Sequence, residues 1–371
     1  ADQAVIAIQN SRLFHETRES LERQTATAEI LNVIASSPSD VQPVFDAIVH
    51  SARKLIGGFS ATMLRLMGEQ IHLVAYTRST EAGDQALLDF FPAPMSSDTI
   101  YQPLLTARPY IVEDTETDTG MSDGLRALAH SRGWRSQILV PLQHEGKAIG
   151  VISVTRSQPG SFSEHQLDLL KTFADQAVIA IQNTRLFNDT KEALEQQTAT
   201  AEVLEVISSS VADTAPVFDK ILNSCEKLFE SSEQGIVLIG QDGFVELAAN
   251  HGASTAALQH YYAAKIPAGS YERGVLRGKP IHVVNALDPD VHIDVRAVAE
   301  MLNRQPVPVG AYSQVLAPMA WENTPVGFLY VIRKPATGFS AKEIALLETF
   351  ADQAVIAIQN AKMFKETQEA L

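Results

Sequence analysis

Ten histidines, one cysteine and a surplus of carboxylates are the side chains here that could ligate a metal, attack an electrophile or move a proton. Their spacing supports none of these reactions. His260, His282 and His292 do not fall at intervals that gather ligands on one face, and no His-Glu-x-x-His occurs. Cys225 stands alone, which excludes an intrachain disulfide and any site built on several thiolates of one chain. No Gly-x-x-x-x-Gly-Lys-Ser/Thr loop and no Gly-x-Ser-x-Gly elbow is present, and kinase and cyclase signatures are missing. The acidic stretches Glu113–Asp118 and Asp288-Pro-Asp290 could draw a cation, but such loops are ordinarily solvated. The expectation is a chain that neither catalyses nor holds a metal.

Composition narrows the partners. A formal charge of −15 argues against nucleic acid and anionic lipid, both of which reward basic patches. No apolar run approaches the roughly 20 residues of a membrane span. A single cysteine suits a reducing, cytoplasmic setting.

What organises the chain is a repeat. Ala-Asp-Gln-Ala-Val-Ile-Ala-Ile-Gln-Asn begins at Ala1, Ala174 and Ala351, 173 and 177 residues apart. That spacing is a whole domain, far longer than a solenoid unit. The sequence therefore reads as a piece of a longer protein holding two complete repeats. Each ten-residue copy lies in a long helix free of Gly and Pro. Ser163 with Gln166, and Ser340 with Glu343, predict capping boxes at two helix starts, with Phe162/Leu167 and Phe339/Ile344 as hydrophobic staples.

Beyond the motif the apolar stripe narrows to steps of three and four: Phe14, Thr17, Leu21, Gln24, Ala28, Leu31, and again Phe187, Thr190, Leu194, Gln197, Ala201, Leu204. Leu21–Ser37 and Leu194–Ser210 agree at 13 of 17 positions. This is the pattern of a two-stranded coiled coil with a polar Gln layer, and it predicts a homodimer through these linker helices. The bland alternative is a helix lying only against its own domain.

A second helix, from about Val41 to Ile56, precedes strand-like runs at Ala61–Met67 and Gln70–Thr77. Their counterparts, Gly235–Gly240 and Phe244–Ala249, flank an Asp-Gly turn. After a helix-and-loop region come short strands at Pro109–Val112 and Pro280–Val284, then closing hairpins at 137–154 and 314–332. Pro141 and Pro318 inside those strands predict an edge or a bulge. The order predicts an α+β fold: two domains, each an antiparallel sheet with helices on one side, joined by long coiled-coil helices.

The closing hairpin with Pro141-Leu and Glu145-Gly-Lys-Ala-Ile-Gly-Val-Ile, followed by Phe162-Ser-Glu and Leu169-Leu-Lys-Thr-Phe-Ala-Asp-Gln-Ala-Val-Ile-Ala-Ile-Gln-Asn, resembles the C-terminal half of a GAF domain. Pro325-Val-Gly-Phe-Leu, Phe339-Ser and the third copy of the motif carry the same resemblance. The linker is similar to those of bacterial multi-GAF sensor histidine kinases or nucleotide cyclases. The resemblance implies domains at 38–187 and 211–364, linkers at 188–210 and within 1–37, and a further linker helix starting at 365–371. It also implies a sensory, dimerising module that takes a small molecule and acts on a downstream output domain.

Within that resemblance, Tyr101, Arg108, Trp134 and Arg135 fall in the expected pocket region of the first repeat. Tyr261, Tyr262, Tyr271, Arg273, His282 and Tyr312 do so in the second. Aromatics there would stack on a planar ligand and Arg or His would pair with an anionic group. Otherwise they are core aromatics and solvated cations. The cofactor stays unknown. Cys225 lies in the second helix, far in sequence from the pocket segments, which argues against a covalently held bilin. Phe339 and Glu343 match only the end of the family's cyclic-nucleotide pattern, and capping already accounts for Glu343.

Overall fold

The computed structural model describes residues 2–95, 98–268, 275–291, 293–304 and 308–370, and divides into two compact units, 1–190 and 191–371. In the first, helices α1 (Asp2–Ser36) and α2 (Gln42–Ile56) precede strands β1 (Ser60–Met67) and β2 (Gln70–Tyr76). Then come α3 (Glu81–Phe90), β3 (Ala93–Pro94), α4 (Gln102–Thr106), β4 (Tyr110–Val112) and α5 (Asp123–Arg132). The hairpin β5 (Ser136–His144) and β6 (Lys147–Arg156) leads into α6 (Glu164–Ser209), a single helix of 46 residues that links the two domains.

The second unit repeats the plan with α7 (Ala215–Leu228), β7 (Glu233–Ile239), β8 (Phe244–Gly252), α8 (Thr255–Tyr262) and β9 (Ile266–Pro267). It closes with β10 (Ile281–Val283), α9 (Ile293–Asn303), β11 (Ser313–Trp321), β12 (Thr324–Arg333) and α10 (Ala341–Ala370). Each sheet has six antiparallel strands, ordered β3-β2-β1-β6-β5-β4 and β9-β8-β7-β12-β11-β10.

Strand alternation splits each domain into two cores. Met63, Ile138, Val140, Ile152 and Val154 face the long helices, packing with Phe45, Ile48, Phe173 and Ala177. Leu64, Leu139 and Val151 point the other way, toward Leu87, Ile100, Leu125 and Trp134 of the inserted segment. The long helices thus share one face; the short inserted helices cover the opposite one, so helices are not confined to the single side that the element order predicted.

The predicted local devices are present. Ser163 and Gln166 exchange backbone and side-chain hydrogen bonds at 3.0 and 3.3 Å, and Ser340 and Glu343 do so at 2.7 and 3.3 Å. Pro141 sits beyond the reach of β4, which pairs only with Gln137, Ile138 and Leu139. Its missing N–H therefore removes no bond on that side, and a bulge follows between Leu142 and Gln143. Pro318 repeats this one residue before the Met319/Ala320 bulge. The two-residue strands β3 and β9 were not expected, being too short to show a period.

The linker helices present two faces. Ala26 and Ile30, and Val203 and Ile207, are buried against their own domains. Phe14, Leu21, Leu31, Phe187, Leu194 and Leu204 are exposed, between 42% and 67%, with Gln24, Gln197 and Ala201 exposed among them. The helix lies against its domain on one side only, and the residues of the predicted heptad series are on the other.

Candidate functional site

Beneath α3 and α5 the first sheet carries a polar floor. Ser60, Thr62, Gln137, Ser153 and Thr155 alternate with the residues of the helix-side core and so share the opposite face. They pair with one another: Ser60 Oγ to Thr155 Oγ1 at 2.7 Å, Thr62 Oγ1 to Ser153 Oγ at 2.8 Å, and Gln137 Nε2 donating to Ser153 Oγ at 3.0 Å. Gln137 is buried, and its Oε1 meets no donor among the described residues. This floor bounds a cavity of about 30 Å³ walled by Leu64, Leu87, Phe91, Leu125 and Trp134, with Arg132 at its margin. One water needs roughly 10–15 Å³, so the cavity as it stands holds about two.

Arg132 fixes the roof. It is 2% exposed, and its guanidinium donates to Asp84 Oδ1 at 2.8 Å, Gly83 O at 3.3 Å and Thr77 O at 3.1 Å. Burial lowers its pKa, and the Asp84 charge opposes that shift. One side chain thereby ties α5 to α3 and to the end of β2.

In the second domain an aromatic ring enters the corresponding space. In the matching register, Tyr330 stands where Ser153 does and Gly235 stands where Thr62 does. A Cβ on Gly235 would lie 2.6 Å from Tyr330 Oη, so only glycine leaves room for the ring. Tyr330 is buried and its hydroxyl bonds Asn250 Oδ1. Burial, then the nearby Glu233 carboxylate, pushes the Tyr330 phenol well up, so it stays neutral. Glu233 occupies the place of Ser60; its Oε1 accepts from the Ser254 N–H at 2.5 Å.

The residues singled out from sequence divide accordingly. Trp134 lines the cavity. Tyr101 is in the same core, its phenol raised to about 12 by burial and then by Asp98. Tyr262 and Tyr312 are buried on the equivalent face of the second domain, with Tyr261 packed edge-on to Tyr262. Tyr312 Oη has no partner among the described residues, and burial raises its pKa. Arg108 is exposed on the surface. Arg135 grips Asp114 with bonds of 2.8–3.0 Å, pinning the acidic loop to the start of β5. His282 is exposed on β10, its Nε2 accepting from the Phe339 N–H at 3.0 Å. Arg108, Arg135 and His282 are therefore not brought to the cavity. Tyr271, Arg273 and His292 lie outside the described residues. Cys225 is fully buried in the helix-side core, where a thiol is shielded from any pocket ligand. Sequence reading missed Gln137, Arg132, Asp84, Glu233 and Tyr330. The one available signal was the pair Ser60-x-Thr62 and Ser153-x-Thr155, polar at period two within apolar strands.

No group of three or more His, Cys, Asp or Glu among the described residues could hold a metal ion, and no described helix is long and apolar enough to cross a membrane. The first domain is thus a six-stranded antiparallel sheet with long helices on one face and a small pocket under short helices on the other. Family comparison gives the GAF domain at residues 38–182 and again at 213–358, and the chain belongs to that family as two GAF domains in tandem. GAF domains are sensory and regulatory, and generally not catalytic.

Among solved structures, the GAF domain of a phosphoenolpyruvate-protein phosphotransferase from Coxiella burnetii is similar, at 10% identity and TM-score 0.40, over 46% of this chain and 98% of that one. A domain of a putative two-component sensor histidine kinase from Sinorhizobium meliloti 1021 matches at 19% identity and TM-score 0.35, over 41% and 97%. The free methionine-R-sulfoxide reductase of Neisseria meningitidis matches at 18% and 0.37, over 46% and 93%. No curated protein matches the chain.

Proposed function

We propose that this is a non-catalytic sensory region in which the first domain takes a small ligand while the second is a sealed spacer. The signal passes along parallel, paired linker helices of a homodimer to a downstream output domain. The observation that carries ligand binding is the cavity floored by hydroxyls, on whose wall Gln137 holds a buried amide oxygen that meets no donor among the described residues. Its counterpart Gln314 is likewise without a donor there, but Tyr330 and Glu233 replace the hydroxyls beside it. An unsatisfied buried acceptor costs about 1–3 kcal/mol, which a ligand N–H or O–H recovers. A ligand larger than two waters has to part α3 and α5 from the sheet.

The way out of the pocket is short. Thr155 of the floor precedes Arg156, whose guanidinium stacks 4.1 Å from the Phe162 ring at the start of α6 and donates to Ile56 O. Movement of the floor therefore acts on the root of the linker helix, a rod with two alternative packings against its copy. Arg333 stacks on Phe339 in the second domain at 4.3 Å, the same device without an open floor.

The plug favours a second reading for that domain, as a dimerisation spacer without ligand. Both parts are tested by thermal shift and native mass spectrometry with nucleotides, haem, bilins and amino acids. A ligand at 100 times its Kd should add about 2.7 kcal/mol to the first domain's stability. Transplanting the plug as Thr62→Gly with Ser153→Tyr should abolish that gain. If no compound stabilises the parent chain, the spacer reading extends to both domains.

A further inference from the structure

On the other face of the first sheet, where α6 leaves the domain just past Asn183, lies an open groove of about 680 Å³. Arg65, His144, Ile149, Ile181, Arg185 and Leu186 are among its walls. Arg65 sits on β1 opposite Gly150 of β6, on the face that Met63 shares with the long helices. Its Nε is buried and meets no acceptor among the described residues. Burial lowers the Arg65 pKa with no carboxylate opposing it, unlike Arg132, where Asp84 does. The one acid on the groove, Asp189, pairs loosely with Arg185 at 3.7 Å, both largely exposed. His144 bonds Gln182 of the repeated motif.

The fold does not require a cation here. Leu238 pairs with Gly327 in the second domain as Arg65 pairs with Gly150 in the first. Trp321 pairs with Thr324 there, in the place of His144 and Lys147. A half-buried guanidinium without a counter-charge is costly to keep unless a partner arrives from outside the domain.

We propose that this groove is an anion site, separate from the pocket under the short helices. It takes the carboxylate or phosphate of a small molecule whose apolar body packs on Ile149, Ile181 and Leu186. The guanidinium of Arg65 pairs with the anionic head, and Gln182 and Arg185 close over it from α6. An anion bound there bears on the linker helix at its exit from the domain, independently of the pocket.

The test is calorimetry on the full chain with benzoate, phenyl phosphate and inorganic phosphate, at ionic strength matched with chloride. Benzoate or phenyl phosphate should saturate one site per chain with a Kd of about 1 mM or below, and bind at least about tenfold more weakly to Arg65→Leu. Without anion, Arg65→Leu should melt above the parent, because a desolvated unpaired charge has gone. Arg65→Gln provides a second variant if leucine disturbs the strand. Affinity equal to the parent's in both variants, or no saturation of the parent by any probe up to about 50 mM, overturns the anion site. Inorganic phosphate binding as tightly as phenyl phosphate overturns the apolar half of it.

Discussion

Replacing Arg132 with methionine should lower the stability of the first domain by about 3 kcal/mol, although the substitution keeps most of the side chain's bulk. Its guanidinium is buried, makes three hydrogen bonds and neutralises Asp84, itself 16% exposed. The variant leaves that carboxylate without its counter-charge, held only by the Ser79 N–H and hydroxyl, and removes the guanidinium's bonds to the Thr77 and Gly83 carbonyls. Removing one member of a buried pair costs about 3–5 kcal/mol, whereas removing both costs far less, so Arg132→Met with Asp84→Leu should recover part of the loss. Urea unfolding followed by Trp134 fluorescence in a Trp321→Phe background reads this domain alone. A loss below about 1 kcal/mol would mean that α3 and α5 are held by their apolar contacts instead.

Charging the linker seam should have the larger effect on assembly. Leu194 and Leu204 are 61% and 46% exposed in the single chain. Each would be covered in both copies of a dimer, where burying a leucine contributes roughly 1.5–3 kcal/mol. Leu194→Asp with Leu204→Asp removes four such contacts and desolvates four carboxylates. The dimer Kd should rise at least about 100-fold, equivalent to about 2.8 kcal/mol. Light scattering across tens of micromolar measures it, and unchanged dimerisation would move the interface to another surface. Folding of each domain should be unaffected, since the inward faces carrying Val203 and Ile207 remain intact.

Much of this architecture was written in local patterns. Capping boxes, the widths of the two helix stripes and the matched hairpins each depend on residues within a turn or two of one another. The repeat then doubled every observation. The pocket was less legible because its chemistry is made by pairing across strands. Ser60 meets Thr155, and Gly235 makes room for Tyr330, each pair 95 residues apart. Within a single strand these serines and threonines read as ordinary β-formers. Aromatics and arginines chosen by type divided between core and surface, because type does not say which way a strand faces. Arg135 was claimed by Asp114, and Arg132, three residues earlier, was inconspicuous until α3 supplied Asp84. Arg65 is legible only by contrast, since its buried Nε, without an acceptor among the described residues, stands out once Leu238 occupies the same register position in the second sheet.

In the proposed dimer the linker helices pair in parallel and in register, so that a change at one domain reaches the next along both copies. Single cysteines in place of Gln24 and of Gln197 test it directly, in two separate variants. Both positions are exposed in the middle of their seams, and the native Cys225 is too deeply buried to compete. In a parallel dimer each cysteine faces its own counterpart, so both variants should form an interchain disulfide under mild oxidation. An antiparallel dimer can bring at most one of the two positions opposite itself. Cross-linking in only one variant, or in neither, would contradict the account.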